Sequence, residues 1–378
     1  MDSRTPAEHP SHIKRILAVV GTRPEAIKMA PVIRALKAES WADVRVLATA
    51  QHRQMLDQVL DAFDIVPDID LDIMLPSQSL PELTSRLLLR MDAVLEDERP
   101  DAVLIQGDTT TVMTTAMAAF YRRIHVGHVE AGLRTGDLDN PFPEEMNRIV
   151  AGRLSRWHFA PTQGARDNLL GEGCNPASVH VTGNTVIDAL LGVASVDRPR
   201  PAQVPANKRL ILVTAHRREN FGDPFREICH GIRELADQHE DVHVLYPVHP
   251  NPNVAGPALE ILSGHERITL CEPMEYLPFV NAMKHAYLVL TDSGGVQEEA
   301  PALGKPVLVL RSETERPEAI WAGVVKLVGP DRNAIVAEAT RLLSDPAAYA
   351  DMARGVSPYG DGKAAGRITA ILKSDLCA

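Results

Sequence analysis

The chain has 378 residues, 45% of them hydrophobic and 24% charged, and 39 Lys and Arg against 50 Asp and Glu leave a formal net charge of −11. That is a globular composition, long enough for two domains with sizeable cores. The acidic balance argues against nucleic acid or an anionic membrane surface as a partner.

Met1–His12 is polar and carries Pro6 and Pro10, so it reads as a disordered leader. The apolar run Arg15–Gly21 predicts a strand, and Glu25–Glu39 predicts a helix opened by Pro24. Val44–Ala48 follows as a strand, then Gln54–Phe63 and Leu80–Glu98 as helices. Ala102–Gln106 (AVLIQ) is a buried strand before the helix Thr109–Tyr121, and Ile124–Glu130 is the next strand. Pro143–Leu154 and Thr162–Leu170 read as helices, Arg156–Ala160 and Val179–Thr182 as extended. Continuous apolar strands separated by helices mean a parallel sheet covered on both faces.

Asp197–Lys208 (DRPRPAQVPANK) has three prolines and little apolar content, and reads as an interdomain linker. Beyond it the rhythm restarts. Strands are expected at Leu210–Thr214, Val242–Pro247, Ile268–Cys271, Tyr287–Thr291 and Pro306–Leu310. Helices are expected at Pro224–His239, Tyr276–His285, Gly294–Leu303, Asn333–Leu343 and Gly362–Leu372. The fold class is therefore α/β, with two Rossmann-like, doubly wound domains facing across a cleft; ligands bind such sheets outside the carboxyl ends of the strands.

Cys174, Cys229, Cys271 and Cys377 are too scattered for a disulfide framework or a cysteine-type zinc site, and read as reduced thiols of a cytoplasmic protein. No run of 18 apolar residues is present to span a membrane. His125 and His128, three apart in a strand, point to opposite faces and make a poor metal pair. His249, before Pro250, reads as a loop histidine.

The residues able to do chemistry lie at strand ends. Gly21-Thr22-Arg23 closes the first strand and opens a helix, where free N–H groups and a bidentate cation suit a phosphate; Lys28 lies five residues on. Ser293, Gly294 and Gly295 form a second such turn, with Glu299 one turn later able to hold vicinal hydroxyls. Glu298 and Glu299 also have a plainer use as favourable charge near a helix N-terminus, which one of the pair would serve alone. His216 follows a strand beside Arg217 and Arg218, a grouping suited to pyrophosphate. Asp108, Glu130 and Glu144 follow consecutive strands of the first half, so Asp108 and Glu130 are expected to converge on one cleft, with Glu144 able to fold over it. Clustered carboxylates shift one another's proton affinity, so one can donate while another accepts. Singly, each has a structural alternative: a helix cap, an ion pair, a helix start. Arg-Pro-Glu-Ala-Ile occurs at Arg23–Ile27 and again at Arg316–Ile320, placing an arginine at two helix starts.

The segments Gly21–Pro31 (GTRPEAIKMAP), Gly107–Thr111 (GDTTT), His128–Thr135 (HVEAGLRT), Pro141–Arg148 (PFPEEMNR), Thr214–Phe221 (TAHRRENF), Asp292–Ala300 (DSGGVQEEA) and Thr314–Ala319 (TERPEA) stand in that order. In this the chain resembles the non-hydrolysing UDP-N-acetylglucosamine 2-epimerases from Ile16 to about Ile371. The resemblance implies the two-domain glycosyltransferase-B architecture. Its N-terminal domain would be 13–193 with a returning helix 364–378, and its UDP-binding domain 194–363. It implies reversible epimerisation at carbon 2 through loss and re-addition of UDP, a chemistry needing neither nicotinamide nor metal. Asp108, Glu130 and Glu144 match the proton-transfer candidates, and His216 the histidine that favours departure of UDP. Arg23, Ser293, Gly294 and Gly295 match diphosphate contacts, and Glu299 the ribose contact. Phe279 would lie by the uracil, with Lys28, Arg148 and Arg316 lining the substrate site. Gln51, His52 and Met55 resemble a loop that helps to bind a second UDP-N-acetylglucosamine as an allosteric activator in some bacterial members. A homodimer is implied as well. Met274 departs from the pattern, standing where many members carry Gln.

Overall fold

The computed structural model describes residues 13–49, 53–75, 78–314 and 316–378, without the side chains of 53–55. The leader 1–12 and Gln51 and His52 lie outside the described residues, as does the side chain of Met55. The chain divides into two compact units, 13–189 with 360–378, and 190–359.

The first unit runs β1 (Lys14–Val20), α1 (Arg23–Lys37), β2 (Ala42–Ala48), α2 (Arg53–Ala62), β3 (Ile69–Asp70), α3 (Leu80–Glu98), β4 (Ala102–Gln106), α4 (Thr110–Tyr121), β5 (His125–Val129), α5 (Glu144–Leu154), β6 (Trp157–Ala160), α6 (Gln163–Gly171) and β7 (Val179–Val181), up to the start of α7 (Thr185–Ser195), within which the division between the units falls. Its strands form a parallel sheet in the order β3-β2-β1-β4-β5-β6-β7. The chain starts in the middle of the sheet and winds outward in both directions, which puts the topological switch between β1 and β4. Leu83, Leu87, Met91 and Leu95 form a buried stripe along α3 and pack against Leu17, Val103 and Ile105 of the sheet. At about 2 kcal/mol for each buried Leu or Met, that stripe alone stabilises the first unit substantially.

The second unit runs β8 (Arg209–Thr214), α8 (Asp223–Gln238), β9 (Val242–Pro247), α9 (Pro252–Leu262), β10 (Ile268–Cys271), α10 (Tyr276–His285), β11 (Ala286–Thr291), α11 (Gly294–Ala302), β12 (Val307–Val309), α12 (Pro317–Trp321), β13 (Val325–Leu327), α13 (Arg332–Ser344) and α14 (Pro346–Met352). The strand order is β10-β9-β8-β11-β12-β13, all parallel, with the switch between β8 and β11. Phe225, Ile228, Ile232 and Leu235 of α8 are buried against Ile211 and Val213. The proline-rich stretch 197–208 belongs to this unit and is tied down rather than loose. Val204 is buried, and the Pro199 carbonyl accepts from the Asn281 side chain at 2.8 Å. The last helix, α15 (Ala364–Leu376), returns to the first unit and packs on α1.

Among the described residues no helix is long and apolar enough to cross a membrane.

Candidate active site

At the β1/β4 switch the turn after β1 is shaped by Thr22 and Glu25. Thr22 caps α1, Pro24 sits in its first turn, and the Glu25 side chain reaches back to complete a capping box. Glu25 Oε2 accepts from the amides of Gly21 and, at 3.2 Å, Thr22. Its Oε1 accepts from the Thr109 hydroxyl at 2.6 Å, which ties the turn after β1 to the start of α4. Glu25 is buried, and burial pushes it up to about 7 against the three hydrogen bonds; the nearby Asp108 adds to the rise. Gly21 leaves room there: a Cβ would stand 2.6 Å from Thr49 Oγ1 and 2.8 Å from Thr111 Oγ1, so those hydroxyls would have to move.

One turn further along α1, the Lys28 ammonium lies 2.6 Å from both carboxylate oxygens of Glu130. Glu130 also accepts from Gln106 Nε2, at the end of β4, and from Asn184 Nδ2 at 2.9 Å. Its φ of 62° is left-handed, an unfavourable state for a non-glycine residue that the surrounding contacts hold in place. His128, two residues earlier, is buried and makes a 2.7 Å hydrogen bond from Nε2 to the Gly107 carbonyl. Burial pulls it down to about 4, so it is neutral at pH 7 and donates there. That bond anchors the turn carrying Asp108.

Asp108 is gripped by Arg148 through Nε at 3.0 Å and a terminal nitrogen at 2.8 Å, and its carbonyl accepts from Asn147 at 2.9 Å. The other terminal nitrogen of Arg148 holds Glu145 at 2.8 Å. Glu145 is buried and accepts the amides of Thr135 and Gly136 at 3.0 and 3.1 Å. Glu144 is half-buried at the head of α5, and its side chain makes no hydrogen bond or ion pair among the described residues. It stands one turn from Arg148 on the same helix face. Arg23 opens α1, and its side chain likewise makes no hydrogen bond or ion pair among the described residues. Lys28, Asp108, Glu130 and Arg148 thus gather beyond the carboxyl ends of β1, β4 and β5, and among the described residues no hydrogen bond or ion pair joins Glu144 to Asp108 or Glu130.

The second unit repeats the pattern at the β8/β11 switch. Ser293 precedes α11 without capping it by its side chain, which leaves the amides of Gly294 and Gly295 at an open helix start. The Arg316 guanidinium carbon lies 3.2 Å from where a Cβ on Gly294 would stand. Arg316 Nε bonds Glu298 at 2.9 Å, so Glu298 positions an arginine beyond any favourable charge it lends the helix. Glu299 accepts from the Tyr276 hydroxyl at 3.4 Å. Phe279 stands one turn from Tyr276 on α10 and is half-buried. His216 stacks on His249 with ring centroids 5.6 Å apart and planes at 22°. His249 therefore flanks His216 and is more than the loop histidine its sequence setting indicates. Each of the two Arg-Pro-Glu-Ala-Ile segments starts a helix, α1 and α12.

Sequence reasoning missed Glu25, Gln106, Glu145, Asn184 and Asp292. The signal was available for Gln106, the last residue of β4 and two before Asp108, whereas Asn184 stands three residues beyond β7, just before α7, and only the folded chain brings it to Glu130. Among the described residues, no group of three or more His, Cys, Asp or Glu is placed to hold a metal.

Two doubly wound sheets, each with cations and an open helix start or an acid network at its switch point, define an α/β protein of nucleotide-binding type. A family model described as UDP-N-acetylglucosamine 2-epimerase matches residues 34–373. A UDP-N-acetylglucosamine 2-epimerase of Escherichia coli K12 is 54% identical over 372 residues, covering 96% of this chain and 99% of that protein. One from Yersinia pestis is 55% identical over 370 residues, covering 95% and 98%. The crystal structure of UDP-GlcNAc 2-epimerase from Neisseria meningitidis bound to UDP-GlcNAc superposes with a TM-score of 0.85 at 48% identity, covering 95% of this chain and 100% of that one. The chain belongs to the UDP-N-acetylglucosamine 2-epimerase family.

Proposed function

We propose that this chain interconverts UDP-N-acetylglucosamine and UDP-N-acetylmannosamine by eliminating UDP and adding it back. The observation that carries the reading is Glu130, a buried carboxylate at the end of a central strand whose charge is compensated by Lys28. Epimerisation at carbon 2 requires that its C–H bond be broken and remade on the other face. Loss of that proton with cleavage of the C1–O bond gives 2-acetamidoglucal and UDP; protonation from the opposite face and re-addition of UDP give the epimer. The atoms balance without an oxidant, so no cofactor is needed.

In this reading Glu130, Asp108 and Glu144 carry the proton transfers. Arg148 holds Asp108 in position, and Lys28 keeps Glu130 in place. His216 assists the departing diphosphate, which is bound by Arg23, Ser293, Gly294, Gly295 and Arg316. Glu299 takes the ribose hydroxyls and Phe279 the uracil. The family resemblance extends the proposal to a homodimer of cytoplasmic location, and to a second UDP-N-acetylglucosamine near Gln51, His52 and Met55 that activates the enzyme.

Incubation with UDP-N-acetylglucosamine followed by chromatography tests the reading. UDP-N-acetylmannosamine should accumulate to an equilibrium mixture. Free N-acetylmannosamine released in step with UDP would replace it with the hydrolysing reaction.

A further inference from the structure

Asp292 is fully buried, yet only half of its carboxylate is engaged. Oδ2 accepts the amides of His216 and Arg217, both at 2.8 Å, and the Asn220 side chain at 3.3 Å. Oδ1 has no hydrogen-bond partner among the described residues and stands 3.9 Å from His216 Nδ1. A buried carboxylate oxygen left bare costs stability. The surrounding structure nonetheless fixes it firmly. Thr214 and Thr291 are in register on neighbouring strands, which sets the two turns side by side. The Tyr246 hydroxyl donates to the Ala215 carbonyl at 2.6 Å, pinning the backbone just before His216.

We propose that Asp292 is the positioning residue of His216: its bare Oδ1 receives the His216 Nδ1–H, leaving Nε2 of the neutral ring unprotonated and stabilising the imidazolium once Nε2 takes a proton. A shift of about 1 Å would bring the present separation to hydrogen-bonding distance. This rests on the reading of His216 as the group that acts on the departing diphosphate. The groups facing His216 come from three turns. Burial holds its proton affinity below the ordinary histidine value, and Asp292 pushes the other way. Arg217, on its own turn, and His249, after β9, both lower it. Asp292 is thus the carboxylate that opposes the loss of charge.

The protonation of a histidine ring can be read directly from its ¹⁵N chemical shifts in the intact, labelled protein. The His216→Gln variant assigns the signal. In the unsubstituted protein the neutral ring should carry its proton on Nδ1; a proton on Nε2 overturns the proposal without recourse to any other variant. In Asp292→Asn the amide oxygen can keep the bonds to the backbone of His216 and Arg217, while its NH₂ faces Nδ1. The proton should then move to Nε2 and the pKa of His216 should fall. Turnover should drop about 10²–10⁴-fold, the range for a proton-transfer group, with KM within a few-fold. Loss of turnover with an unchanged ring tautomer would mean that Asp292 acts only as scaffold, and contradicts the proposal. The tautomer measurement needs no substrate, so it stands or falls separately from the epimerase reading.

Discussion

The Lys28 ammonium and the Glu130 carboxylate meet at 2.6 Å across 102 residues of chain, with Glu130 almost completely enclosed. Such a pair delivers a carboxylate to a substrate in a defined place. Glu130→Gln keeps the shape and removes the ability to exchange a proton. Turnover should fall about 10²–10⁴-fold while the affinity for UDP, measured by calorimetry, stays within a few-fold. Unchanged turnover would take Glu130 out of the reaction.

The same pair makes a prediction about stability. Lys28→Met strips the counter-charge from a carboxylate that remains buried, which should cost about 2 kcal/mol, discounted for the partial exposure of Lys28. Adding Glu130→Gln removes the stranded charge. The double variant should therefore be more stable than Lys28→Met alone in urea unfolding. Strictly additive losses would show that the two charges are not coupled.

Glu25 gives a pH dependence of known sign. An ordinary glutamate releases its proton near 4.5 and Glu25 near 7. Between those values the folded chain holds more protons than the unfolded one, so this group weakens the fold as pH rises. The loss is about 3 kcal/mol once pH exceeds 7. Glu25→Gln can retain the contacts to Gly21, Thr22 and Thr109 but does not titrate. His128 and His158, each pulled down to about 4 by burial, act with the opposite sign below the ordinary histidine value, but equally in both proteins. Urea unfolding at several pH values should show the original protein losing stability relative to the variant as pH rises from 5 to 8. Parallel curves would refute the elevated proton affinity.

Gly132 separates space from backbone freedom. It has φ +90°, and a Cβ there would stand 2.2 Å from the Ala165 carbonyl oxygen, part of the α6 backbone that cannot swing aside. Gly132→Ala should cost about 3 kcal/mol or more. Gly173, at φ +84° with nothing near its missing Cβ, should lose only about 1 kcal/mol on the same change. Equal melting temperatures for the two variants would contradict this.

Much of the fold is legible in the sequence because central parallel strands are continuous apolar runs. Ala102–Gln106 is read to the residue. Two of the four outer strands are not: β3 is two residues long and β13 three, with no period to show, whereas the outer strands β7 and β10 are read at Val179–Thr182 and Ile268–Cys271. The helix α9 hides behind Gly256 and Pro257, residues that ordinarily break helices. α7 is apolar around most of its circumference and shows no stripe. At the site, Asp108, Glu130 and His216 stand out because they are charged or polar groups ending strands. Glu25 and Asp292 do not, since a glutamate in a first helical turn and an aspartate before a glycine turn have everyday uses. Only burial, and a partner distant in sequence, reveals their importance.

Proton NMR of the reaction in heavy water tests the central claim most directly. If carbon 2 loses its proton to the protein and regains one from the other face, deuterium will enter that position in both UDP-N-acetylglucosamine and UDP-N-acetylmannosamine as they interconvert. Interconversion with the original hydrogen retained at carbon 2 would contradict the account.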